Sequence, residues 1–156
     1  MFKKFKPYII SVAVALGVGV LSAVLTMGSM DFYSTINQPP LAPPGWLFPV
    51  VWTILFTLMG ISAALVYTSD SSQEEIRSAL TVYAAQLAFN FLWSIIFFNM
   101  RAYLFAFIWL IILWILIIVM IIRFYNINKS AGLLQIPYLL WVTFAGYLNF
   151  MIYLLN

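Results

Sequence analysis

The chain contains no cysteine and no histidine. Their absence removes disulfides, thiol nucleophiles, imidazole acid–base catalysis, zinc sites of the usual kind and the common axial ligands of haem iron. Charge is nearly as scarce: seven Lys and Arg with four Asp and Glu make up 7% of 156 residues. A soluble domain carries roughly 25% charged residues, so a water-facing surface cannot be assembled from this composition. What fills the chain is apolar, with 65% hydrophobic residues, 19% aromatic residues and a mean hydropathy of +1.07. The solvent it is suited to is lipid. The net charge of +3 lies at the ends of apolar runs and reports orientation, so no nucleic-acid partner is expected. No metal or cofactor is expected either.

Five long apolar runs divide the chain, at residues 7–26, 46–67, 80–98, 103–122 and 132–155. Each is long enough to cross a hydrocarbon core of roughly 30 Å as a helix rising about 1.5 Å per residue. The runs are continuous and do not alternate, which excludes a membrane barrel built from strands of about ten residues. The expected fold is therefore an all-α integral membrane protein, a single domain formed by a bundle of five transmembrane helices. The first run follows Lys3, Lys4 and Lys6. It is longer than the apolar core of a cleavable signal peptide and no small-x-small site follows it, so it is read as a span. The runs show no internal repeat, unlike inverted-repeat transporters.

Lys3, Lys4, Lys6, Arg77, Arg123 and Lys129 fall on one side of a five-span arrangement, and Arg101 alone falls on the other. This asymmetry predicts a cytoplasmic N-terminus. The first loop, residues 27–45, then faces outward. It carries Asp31, Tyr33 and Asn37, then Pro39, Pro40, Pro43 and Pro44, so its second half is expected to be extended and stiff, suited to a lid.

None of the five runs contains Asp, Glu, Lys, Arg or His at its interior. Proton-coupled pumps and ion carriers place such groups within the membrane, so active ion-coupled transport is disfavoured. The polar residues that remain are neutral: Thr53, Gln86, Asn90, Gln135, Thr143 and Asn149. Gln86, Asn90 and Trp93 share one face of the third helix, as Trp141, Ala145 and Asn149 do on the fifth and Trp52, Phe56 and Met59 do on the second. An amide facing lipid would leave its donors unpaired, so these stripes should turn inward. Counted from the outward ends of the runs, Trp52 lies about 9 Å deep, Asn90 about 12 Å, Ala145 about 15 Å and Trp141 about 21 Å. Such residues can line one cavity beneath the prolyl loop, with aromatic walls and few hydrogen-bonding groups, suited to a flat hydrophobic ligand. Interhelical packing with amides as glue is the competing explanation. Trp109 and Trp114, in the nearly uniform fourth run, are expected to touch lipid or neighbouring helices. Small residues spaced by four (Ala15, Gly19 and Ala23; Ala13 and Gly17; Ala84 and Ala88) permit close helix approach, within the chain or between two copies.

Three ordered motifs carry a wider likeness: Pro39-Pro40-Leu41-Ala42-Pro43-Pro44-Gly45-Trp46-Leu47-Phe48-Pro49-Val50-Val51-Trp52-Thr53, Asn90-Phe91-Leu92-Trp93-Ser94 with Phe97-Phe98, and Pro137-Tyr138-Leu139-Leu140-Trp141. In these the chain resembles the tryptophan-rich sensory protein and translocator protein family, also called peripheral-type benzodiazepine receptors. The resemblance covers nearly the whole chain. It implies a five-helix membrane receptor, usually a homodimer, that binds porphyrins such as protoporphyrin IX and, in mitochondrial members, cholesterol and benzodiazepine-type ligands. The positions matching the ligand pocket are Trp52, Asn90 and Trp141, with Tyr33, Pro43, Trp93 and Ala145 nearby. One departure concerns sterols. Leu148 and Tyr153 are followed by Leu154, Leu155 and Asn156 without a basic residue, so the Leu/Val, Tyr, Lys/Arg pattern is incomplete and high-affinity cholesterol binding is not expected.

Three activities are compatible with this reading. The first is a porphyrin-binding receptor with a regulatory or stress-response role in a bacterial cytoplasmic membrane. The second, implied by the resemblance, is a light- and oxygen-dependent porphyrin-degrading photo-oxidase in which Trp52 and Trp141 would be the catalytic residues. The third is a passive carrier of hydrophobic ligands.

Overall fold

The computed structural model describes residues 2–156. Five of its helical segments are long and apolar enough to cross a membrane, and the described residues contain no strand. The first segment is α1 (Phe2–Thr26), prolonged by a 3-10 turn (Met27–Ser29) and the short α2 (Met30–Tyr33). The second is α3 (Leu47–Tyr67). The third is α4 (Gln73–Ser94), closed by a π turn (Ile95–Asn99), and the fourth is α5 (Tyr103–Ile127). The fifth is broken into α6 (Lys129–Leu133) and α7 (Ile136–Leu155). The protein is a multi-pass integral membrane protein.

Local chemistry explains several of these limits. Ser72 accepts the Glu75 N–H at 3.2 Å and starts α4, with Glu74 and Glu75 in the first turn where the helix dipole favours acidic groups. Asn128 caps α6 in the same way, accepting the Ala131 N–H at 3.1 Å. Two stretches differ from the apolar-run reading. Asp31 and Tyr33 were expected in the loop that follows the first span, yet they belong to a helical continuation of that span, since no proline interrupts residues 27–36. The fifth run was expected to form one helix, but the chain turns at Leu134 and Gln135, just ahead of Pro137, whose missing N–H suits the start of a new helix.

Lys3, Lys4, Lys6, Arg77, Arg123 and Lys129 gather toward one end of the bundle, here termed the basic face. The first loop, the α4–α5 link and Asn156 lie at the opposite, loop face. α1 and α3 approach closely at Gly60. A Cβ there would stand 2.5 Å from Val12 Cα, and the Ser11 hydroxyl donates to the Gly60 carbonyl at 2.7 Å. The small-residue stripe of α1 is thus divided: Ala15 is buried and Gly19 faces the Phe56 ring, whereas Ala13, Gly17 and Ala23 point outward. Ala84 and Ala88 are likewise exposed on α4. α5 is central, packing against both α4 and α7. α6 wedges between α3 and α5, with the Ser62 hydroxyl on the Ala131 carbonyl at 2.6 Å and Gly132 against the backbone of Tyr125.

Candidate functional site

Backbone contact between α7 and the bundle is close only along α5; toward α3 and α4 it is made by side chains. Two aromatic pairs close the gap on the α3 side. Trp52 meets Tyr138 edge-on at 6.2 Å between centroids, and Phe48 meets Trp141 at 6.0 Å. Phe48 in turn meets Tyr33 at 5.5 Å. On the α4 side the bridges are polar. The Asn90 amide donates to the Tyr138 hydroxyl at 2.7 Å, and that hydroxyl donates to Gln86 Oε1 at 2.7 Å. One turn nearer the loop face, the Trp93 indole donates to Asn149 Oδ1 at 3.0 Å and the Asn149 amide donates to the Tyr103 carbonyl at 2.8 Å. Gln86, Asn90 and Asn149 are all engaged across this seam, and the stripes on α4 and α7 turn toward each other.

The seven residues singled out from sequence do not form one contact chain: Trp52 and Asn90 meet at Tyr138, whereas Tyr33 reaches Trp141 through Phe48 and Trp93 through Phe98, and Pro43 and Ala145 stand beside these chains. Trp52 and Trp141 border the α3–α7 gap and are only half-buried. Ala145, one turn from Trp141, is buried. Asn90 and Trp93 are buried and engaged in the α4–α7 bridges. Tyr33 links its chain of contacts to the loop: it contacts Phe48 and Phe98, and Phe98 meets Trp93 at 6.2 Å. Tyr33 and Pro43 also line a cleft of about 570 Å³ at the loop face, together with Met30, Asp31, Gln38 and Trp46. The loop is held over the bundle by its far end. The Asn37 N–H and side-chain amide reach Asn156 Oδ1 and the Leu155 carbonyl at 3.1 and 3.2 Å, and the Tyr147 hydroxyl donates to the Pro40 carbonyl at 2.9 Å.

The six tryptophans separate into two sets by their N–H groups. Trp93 donates to Asn149, Trp109 to the Phe89 carbonyl at 2.9 Å, and Trp114 to the Thr143 hydroxyl at 2.9 Å. Trp109 also stacks on Phe89 at 4.3 Å. These three are interhelical struts. Trp46, Trp52 and Trp141 have no such partner among the described residues, and all three lie along the route from the loop cleft to the α3–α7 gap. Indole N–H donors kept free beside an aromatic gap can receive an acceptor group of a ligand.

Two residues central to this geometry were not singled out as site residues from sequence. Tyr138 supplies the hydroxyl between Gln86 and Asn90 and the ring beside Trp52; its signal was its place three residues before Trp141, on the same helical face. Phe48 couples Tyr33 to Trp141, and nothing in its apolar surroundings marks it. Thr53, by contrast, is exposed and bonds only to the Pro49 carbonyl of its own helix.

The architecture defines a class: a small five-span membrane protein with an aromatic, uncharged gap between its second and fifth spans beneath a prolyl loop. The family model for the TspO/MBR family matches residues 11–155, and the chain belongs to that family. Its relatives include a tryptophan-rich protein TspO of Chlorobaculum tepidum, 38% identical over the whole of this chain and 99% of the relative. The protein CrtK of Rhodobacter capsulatus is 36% identical over 97% of this chain and 92% of its own length. A translocator protein of Bos taurus is 30% identical over 85% of this chain and 79% of its own.

Proposed function

We propose that this chain is a membrane receptor for porphyrins, protoporphyrin IX above all, and for benzodiazepine-type hydrophobic ligands, with a regulatory or stress-response role. The observation that supports this most directly is the pair of unpaired, half-buried indoles, Trp52 and Trp141, on opposite walls of the α3–α7 gap. A flat macrocycle with peripheral carboxylates suits such a site: the rings offer stacking surface, the indole N–H groups offer donors, and no charged side chain lies at depth. Family membership supports the same reading. The loop cleft, with Trp46 68% exposed, would be the approach from the loop face. In this proposal the basic face is cytoplasmic, in a bacterial cytoplasmic membrane, and the outward-facing Ala84 and Ala88 suit a homodimer seam.

The test is titration of the purified protein with protoporphyrin IX, followed by quenching of tryptophan emission. Trp52→Phe with Trp141→Phe should weaken binding at least tenfold, whereas Trp114→Phe should leave it unchanged. Equal affinity in the double variant would sink the assignment of this gap.

A second activity, photo-oxidative porphyrin breakdown, is favoured by the same two indoles, because oxidisable rings would lie next to a bound photosensitiser. It predicts a new absorbance band under light and oxygen that is lost in the double phenylalanine variant. Bleaching no faster than free porphyrin would reject it.

A further inference from the structure

The Gln86–Tyr138 hydrogen bond marks a level in the bundle from which two other polar residues depart together. Tyr83 precedes Gln86 by three residues on α4, and Gln135 precedes Tyr138 by three residues at the start of α7. α4 and α7 both run from the basic face to the loop face, being separated by the single return crossing of α5. Tyr83 and Gln135 therefore both lie about one helical turn, about 5 Å, from the bridge toward the basic face. Tyr83 is anchored there by Phe124 of α5, ring to ring at 6.0 Å. Gln135 is anchored by the turn from α6, with its N–H on the Gly132 carbonyl at 3.1 Å.

Neither side chain has a hydrogen-bond partner among the described residues. The Tyr83 hydroxyl and both the Oε1 and Nε2 atoms of Gln135 are buried and make no hydrogen bond, and Gln135 is 0% exposed. The polar groups around them are already engaged. Tyr138 is shared between Gln86 and Asn90, the Gln86 amide points at the Met59 sulfur at 3.9 Å, and Ser62 is bonded to the Ala131 carbonyl. The other buried amides of the bundle, Gln86, Asn90 and Asn149, are paired, so Gln135 is the exception. Leucine would serve at a dry position inside a membrane bundle, and an amide there is costly unless something answers it.

We infer that Tyr83 and Gln135 form a hydration site in the basic-face half of the bundle, distinct from the aromatic gap and joined to it through Tyr138. The donor and acceptor set fits water. A glutamine amide offers two donors and an acceptor, a phenol offers one donor and lone pairs, and a buried water takes two to four such partners. No charged side chain is present to hold an ion. The Gln86–Tyr138–Asn90 bridge is the roof of this site and also the support of the Trp52 ring contact, so its water belongs to the structure that shapes the gap. The inference does not depend on which ligand the gap takes.

The experiment uses the full chain in lipid nanodiscs with nitrogen-15 in its glutamine side chains, and reads magnetisation transfer from water to each amide. The chain has four glutamines: Gln38 and Gln73 are exposed positive references, and the buried Gln86, whose amide N–H faces the Met59 sulfur, is the negative one. The Gln135 signal, assigned by its loss in Gln135→Leu, should show water transfer that Gln86 lacks, reduced at least twofold in Tyr83→Phe. Thermal unfolding gives the second measurement, because deleting an unpaired dry group stabilises a protein whereas deleting a hydrated one does not. Absence of transfer at Gln135, or a rise of several degrees in the midpoint of both Tyr83→Phe and Gln135→Leu, overturns the inference.

Discussion

Deleting a single oxygen measures how the α4–α7 seam is held. Tyr138 is 1% exposed, and its hydroxyl makes two 2.7 Å bonds, one to Gln86 and one from Asn90. Tyr138→Phe keeps the ring, and with it the edge contact to Trp52, while removing both bonds. Hydrogen bonds between membrane helices contribute about 0.6 kcal/mol each on average, which sets a lower bound of about 1.2 kcal/mol if the partners find new ones. An unpaired buried group costs about 1–3 kcal/mol. Gln86 and Asn90 are both buried, and the Gln86 amide has no neighbour to turn to except the Met59 sulfur. Re-pairing is therefore restricted, and the expected loss is about 2–3 kcal/mol. Equilibrium unfolding in mixed micelles of rising SDS fraction, followed by circular dichroism, measures it. Gln86→Leu removes the acceptor, so the double variant should cost less than the two single variants added, by about 1 kcal/mol. A Tyr138→Phe protein within about 0.5 kcal/mol of the parent would refute the bridging role assigned to this hydroxyl.

Gly60→Ala places a methyl group on the Val12 backbone and should splay α1 from α3, costing about 2 kcal/mol or more, whereas Gly17→Ala meets nothing within 4 Å and should be neutral or slightly stabilising; folded yield and unfolding midpoint separate the two. Trp109→Phe loses the bond to the Phe89 carbonyl and part of the stack, so it should lower stability by about 1–2 kcal/mol without changing protoporphyrin affinity. Leu41 holds a left-handed φ of 72° in the loop, a region that glycine enters without strain; Leu41→Gly should raise stability by up to about 1 kcal/mol, and a clear loss would show that the exposed leucine has another role.

Much of the architecture was legible because a membrane allows few solutions. Apolar runs of about twenty residues must be helices there, and amides in those helices must turn inward, so the inward faces of Gln86, Asn90 and Asn149 followed from spacing. Tyr33 was harder to read: the prolines that stiffen the loop begin only at Pro39, so no proline ends the helix at Thr26, and it runs on through a 3-10 turn to Tyr33. The break at Gln135 was hidden because Leu134, Ile136 and their neighbours are as apolar as a helix interior, and it is the wedge of α6 between α3 and α5 that sets it. The tryptophans were equally opaque. Spacing places an indole on a face, but whether its N–H is taken by Phe89, Thr143 or Asn149, or by nothing, depends on what lies across the gap.

The sequence by itself determined the solvent, the number of spans, the scarcity of reactive groups and the family, because composition and run length act through bulk transfer energies that need no tertiary detail. Tertiary structure alone decided which polar groups are consumed in holding helices together and which remain free. That choice depends on distances of a few tenths of an ångström between residues as far apart in the chain as Gln86 and Tyr138, and hydrogen bonding in a medium without water makes each such choice matter.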